Sequence, residues 1–127
     1  MATKLIYLAT EFMHRSAIKR QRNLQLATAF TAELVQRGVS VFSPVAHRGM
    51  VATHAEGLET KGLLFRSIER PIMEAAAGVL VVGRADEMDV LAAQALKKNV
   101  IYTDWTADMD SLALTLRGIY GVEEVPA

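Results

Sequence analysis

Four short apolar runs punctuate the chain, and between most of them the apolar positions change to a helical spacing. The runs are Leu5-Ile6-Tyr7-Leu8-Ala9, Val39 to Phe42, Val79-Leu80-Val81-Val82 and Val100-Ile101-Tyr102. The first and third lack the alternation of a half-exposed strand, which marks strands covered on both faces of a parallel sheet. Ser16 is placed to N-cap a helix that runs to about Arg37, with Ala27, Phe30, Thr31, Leu34 and Val35 on its buried stripe. Gly38 stops it. Ser43-Pro44 ends the second strand, because proline has no N–H to donate to a ladder. From Val45 to about Lys61 no clean period is visible, and a segment this long without one reads as a loop.

A further helix spans Gly62 to Ala77, kinked or restarted at Pro71. After the third run, Gly83 opens a polar turn, and Val90, Leu91, Ala93 and Leu96 form the apolar stripe of the next helix. Lys97-Lys98 closes that helix at the negative end of its dipole, and Asn99 turns the chain into the fourth run. Thr103-Asp104-Trp105 is a turn, Ala107 to Leu116 a last short helix, and Gly118 to Ala127 a tail with little expected order beyond Ile119-Tyr120. Strand and helix alternate throughout. The pattern predicts an α/β fold: a three-layer α/β/α sandwich around a parallel, flavodoxin-like or Rossmann-like sheet of about four or five strands. Its first and third strands are expected to be adjacent and central, in a single domain over residues 1–127.

Composition narrows the function. With 14 basic and 14 acidic residues the formal charge is zero, so no long-range field draws the chain onto a nucleic-acid polymer or an anionic membrane. There is no cysteine, which excludes disulfides, thiolate metal sites and a thiol nucleophile. The opening MATKLIYLAT is too short an apolar run for a signal peptide, and no run approaches a membrane span, so a cytoplasmic location is expected.

Candidate chemistry gathers at the carboxyl ends of the strands, where open α/β sheets bind ligands. Asp86, Glu87 and Asp89 follow the third strand and can serve as nucleophile or general acid/base, or as helix caps that complement the dipole. His14, Arg15, Lys19, Arg20 and Arg22 surround the amino end of the first long helix and read either as an anion site or as a solvated basic face. His14, His47 and His54 lie apart without ligand spacing, so no metal is implied. Glu69 falls near Pro71, within reach of the same cleft.

In order along the chain, these pieces resemble the nucleoside 2-deoxyribosyltransferase-like superfamily, including its 2′-deoxynucleoside 5′-phosphate N-hydrolases and small bacterial and phage branches. The resemblance rests on Ile6-Tyr7-Leu8-Ala9-Thr10, on Arg22 and Gly38, and on Val41-Phe42-Ser43-Pro44 with His47 shortly after. It extends to Glu69, where an aspartate is usual, and to Asp89 through Val100, matching E-x-x-x-A-x-A-L-G-K-P-V. Three departures stand out. Asp89 replaces a glutamate, Lys97-Lys98-Asn99 replaces Gly-Lys-Pro, and the loop before Asp89 lacks an S-x-G.

The resemblance implies cleavage or transfer at an N-glycosidic bond through a carboxylate nucleophile. Asp89, Glu69 and Glu87 would be the catalytic candidates, and Tyr7, Thr10, Glu11, Arg22 and His47 the substrate contacts. The partner would be a small nucleoside or nucleotide, no cofactor would be needed, and the protein would be a homodimer or higher homo-oligomer. The alternative is a catalytically degenerate nucleotide-binding or sensing module on the same pocket.

Overall fold

A computed structural model describes residues 4–12, 14–58 and 61–121. Its strands are β1 (Ile6–Ala9), β2 (Val41–Phe42), β3 (Gly78–Val82) and β4 (Val100–Thr103). The helices are α1 (Ala17–Gln36), α2 (Pro44–Ala52), α3 (Gly62–Ala75), α4 (Glu87–Ala95) and α5 (Met109–Tyr120). The strands form one all-parallel sheet in the order β2-β1-β3-β4. The two runs without alternation, β1 and β3, are the central pair, with Tyr7 opposite Val79 and Leu8 opposite Leu80.

Strand periodicity sorts the core into two layers. Ile6, Leu8, Leu80 and Val82 meet Phe30 and Leu34 of α1 and Ala113 and Leu116 of α5. Tyr7, Ala9, Val79 and Val81 face the other way, onto Met73 and Ala76 at the end of α3 and Ala93 of α4. A smaller cluster of Phe12, Ala27 and Val45 joins α2 to α1. Because Tyr7 lies on the α3–α4 face, its one polar atom is directed into the layer that holds Glu69 and Asp89.

Several local expectations are corrected. The stretch after Pro44 is not a loop: Ser43 Oγ accepts from the Ala46 N–H at 3.1 Å, Pro44 takes the first helical turn, and α2 runs to Ala52. Helix α3 continues through Pro71 and ends at Ala75, two residues short of the expected Ala77. Val35 is exposed and Thr31 only half-buried, since the buried stripe of α1 is the narrower line Ala27, Phe30 and Leu34. Helix α5 extends past Leu116 to Tyr120, and the tail beyond Gly121 lies outside the described residues. Ser16 does cap α1, its Oγ accepting from the Lys19 N–H.

Lys98 serves a different helix end from the one expected. Its Nζ donates to the carbonyls of Glu74 at 2.6 Å and Ala76 at 2.8 Å, at the carboxyl end of α3 rather than α4. Among the described residues, no helix is long and apolar enough to cross a membrane.

Candidate functional site

Helices α3 and α4 leave between them a cleft of about 430 Å³, within the range of small-molecule sites. Tyr7 lines it from β1, Arg66, Ser67, Glu69, Arg70 and Met73 from α3, and Met88, Asp89, Leu91, Ala92 and Ala95 from α4. Asp89 is the third residue of α4, after an N-cap at Asp86, and its backbone N–H donates to the Asp86 carbonyl. The side chain does not stay at the helix end in solvent. It is 4% exposed and turns into the cleft.

Glu69 is buried opposite, and its position is fixed from α2. Arg48 Nε donates to Glu69 Oε2 at 2.6 Å, and Arg48 Nη2 donates to Oε1, giving a two-pronged contact between side chains that are each nearly inaccessible. The guanidinium also lies over the Phe65 ring, 5.8 Å from its centroid. Removing one partner of such a pair strands a buried charge, at a typical cost of about 3–5 kcal/mol. The contact takes one hydrogen bond at each Glu69 oxygen and fixes the carboxyl in place, leaving a further lone pair on each oxygen to accept from a ligand.

Asp89 is held more loosely. Its nearest cation is Arg66, with Nη1 3.7 Å from Oδ1, too far for a hydrogen bond. Burial raises its carboxyl from 3.8 to about 6. Arg48 and Arg66 pull it back, while Asp86 and Glu69 push it further up. Tyr7 is raised far above the ordinary phenol value, first by burial and then by the charges of Asp89 and Glu69. It therefore stays protonated and presents a hydrogen-bond donor to a site of two carboxylates.

The structure thus brings Tyr7, Glu69 and Asp89 together, and it distributes the other predicted residues elsewhere. Glu87 is exposed in the first turn of α4 and does not line the cleft. Thr10 is fully buried beyond β1 with no hydrogen-bond partner for Oγ1, and it does not reach the cleft surface. His47 sits between the rings of Phe42 and Phe65, with Nδ1 buried and unpartnered. Glu11 and Arg22 line a second cleft of about 650 Å³, with His14, Arg15, Lys19, Arg84 and Trp105. That cleft lies on the α1 side of the sheet and shares no residue with the first.

Arg48 and Arg66 complete the first site without having been singled out by the sequence. Arg48 follows His47 and reads as one more polar position in a segment without period. Its approach to Glu69, 21 residues away, exists only once α2 and α3 have packed. Arg66 carried a signal that could have found it: it stands three positions before Glu69, on the same face of a predicted helix. Compared with protein-family models and with curated proteins, the sequence finds no match.

Proposed function

We propose that the chain cleaves, or transfers a sugar at, the N-glycosidic bond of a nucleoside or nucleotide, with Asp89 as the carboxylate nucleophile. One observation carries the reading: a buried carboxylate, Asp89, shares a cleft at the carboxyl side of a central strand with a second buried carboxylate and a protonated tyrosine. Its resemblance in order of motifs to deoxyribosyltransferase-like proteins agrees with that chemistry. Asp89 Oδ attacks C1′ as the C1′–N bond breaks, through an oxocarbenium-like transition state, and the base departs with the bonding pair and takes a proton from water. Water, or the nitrogen of a second base, then attacks C1′ and returns the carboxylate. Glu69, fixed by Arg48, orients the substrate as an acceptor; the Tyr7 O–H donates to a carboxylate or sugar oxygen.

A nucleophile must be ionised, so activity should rise with pH and level off above about 6, the value to which burial lifts Asp89. Release of free base from a panel of nucleosides and nucleotides, followed by chromatography across that interval, tests this. A rate that falls with increasing pH through the same interval contradicts Asp89 as nucleophile. Saturable binding of the panel without any release of base moves the protein to the alternative, a nucleotide-binding or sensing module on the same cleft.

A further inference from the structure

On the α1 side of the sheet, away from Asp89, the cleft of about 650 Å³ gathers cations from two separate stretches of chain. Arg15 stands just before α1, Lys19 and Arg22 lie in its first two turns, and Arg84 follows β3. All four are exposed, and among the described residues Glu11 is the only acid in the lining. None of the four side chains has an ion-pair or hydrogen-bond partner among the described residues. Other arginines of the chain are engaged: Arg37 by Glu33 and Asp110, and Arg20 by the carbonyls of His14 and Arg15. The arrangement works against α1. Cations at an amino end oppose the helix dipole, the first turn has no acid to offset them, and Lys19 and Arg22 stand three apart on one face, where like charges repel. A local conflict without compensation inside the chain marks a functional place, and here what is missing is negative charge.

The same cleft has an aromatic wall. A Cβ at Gly83 would fall 2.8 Å from Trp105 Nε1, so glycine is what lets the indole close over the turn after β3 and brings Arg84 beside it. Four cations against one acid leave three positive charges without a counter-charge in the lining. A single phosphate brings at most about two charges at neutral pH. A chain of phosphates brings one for each unit and more at its end, with several oxygens for guanidinium forks to grip. We infer that this cleft is a second ligand site, for a compact chain of phosphates: an inorganic polyphosphate or the tail of a nucleoside triphosphate. A nucleic-acid strand would need positive charge along a path, but Asp86 and Glu87 closely follow Arg84 and Asp104 precedes Trp105, so the favourable field ends with the cleft. The site is independent of the glycosidic reading, which concerns the other cleft.

Trp105 is the only tryptophan, so its emission reports on this cleft and not on the one that holds Asp89. Tripolyphosphate is titrated into the protein, with heat giving affinity and Trp105 emission giving location. Orthophosphate, a nucleoside triphosphate and an oligothymidylate are titrated in parallel. Tripolyphosphate should bind saturably, shift the emission and exceed orthophosphate in affinity by about tenfold or more, and added salt should weaken it. Arg22→Gln/Arg84→Gln should lower that affinity by about tenfold to a hundredfold. Both side chains are exposed, so circular dichroism should show the fold kept. Arg66→Gln, in the other cleft, should leave the affinity unchanged. The nucleoside triphosphate separates the two sources: an affinity equal to or above that of tripolyphosphate admits the nucleotide, and a lower one restricts the site to the inorganic chain. Absence of saturable binding, binding without a change in emission, or an affinity indifferent to salt overturns the proposal. So does an affinity that survives the double substitution or falls with Arg66→Gln, and so does tighter binding of oligothymidylate than of tripolyphosphate.

Discussion

Asp89 works against the stability of the fold that holds it. Its carboxyl titrates at 3.8 when unfolded and at about 6 when folded, so the folded state binds the proton more tightly over that interval. The stability this contributes is complete below the unfolded value and is lost as pH rises through about 6, a difference of about 3 kcal/mol. Asn at this position keeps the shape without the charge. Asp89→Asn should therefore be more stable than the parent by about 2–3 kcal/mol at about pH 8 and nearly equal to it at about pH 4. Urea unfolding at both values checks this, and an equal or lower midpoint at the higher pH would show that the carboxylate is not desolvated. That Asp89 faces the cleft was legible in the sequence, because it follows the third strand at the carboxyl end from which an open sheet presents its ligands, whereas Glu69, which precedes that strand, was linked to the cleft by its place near Pro71 and by the order of motifs. Their cations were not legible. Arg48 meets Glu69 only through the packing of α2, an element the missing periodicity concealed.

At the scale of elements, two helices end in the same way with different residues. In α1 the Gly38 N–H bonds to the Val35 carbonyl and the Val39 N–H to that of Leu34, with Gly38 at φ 83°. In α4 the Lys97 N–H bonds to Gln94 and the Lys98 N–H to Ala93, with Lys97 at φ 56°. Both are Schellman closures, but only the first uses the residue that tolerates left-handed backbone. A side chain there costs about 1–2 kcal/mol, partly offset by the greater freedom glycine has when unfolded. Lys97→Gly should raise stability by about 0.5–1 kcal/mol, visible as a rise of a few degrees in Tm; a lower Tm would show that the Lys97 side chain makes up the strain. That a lysine and not a glycine stands at position 97 could be seen in the sequence, but its cost appears only in the backbone angle. Helix α2, in contrast, carried a readable start in Ser43-Pro44, an N-cap followed by proline in the first turn. The absence of a periodic stripe masked it: Pro44, Val45, Arg48 and Gly49 are its buried residues, two of which are not hydrophobic side chains.

Across the whole molecule, the adjacent, central placement of β1 and β3 follows from their lack of alternation, and this made the middle of the sheet the most legible feature, while the side on which β2 and β4 join it appears only in the structure. Trp105 and Met109 pack against the core, and Trp105 meets the Phe30 ring edge-on at 5.6 Å. Met50 does remain exposed, and so do Leu63, Leu64 and Ile68 on α3 and Met88 and Leu91 on α4. We propose that a second copy of the chain covers the α3–α4 rim, because C₂ pairing is the simplest way to bury one apolar surface against itself. Sedimentation at micromolar concentration should then give a dimer that Leu64→Glu converts to monomer; a monomeric parent would contradict the pairing. The central claim, however, is chemical: Asp89 is the group that breaks the glycosidic bond. The most direct measurement is release of free base, followed side by side for the parent and Asp89→Asn at about pH 7, with the nucleotide that the parent turns over fastest. Loss of an essential nucleophile typically lowers turnover by roughly a thousandfold or more, so base release should all but vanish in the variant while its fold and ligand binding remain. Base released by Asp89→Asn at the parent rate, or none released by the parent from any member of the panel, would contradict it.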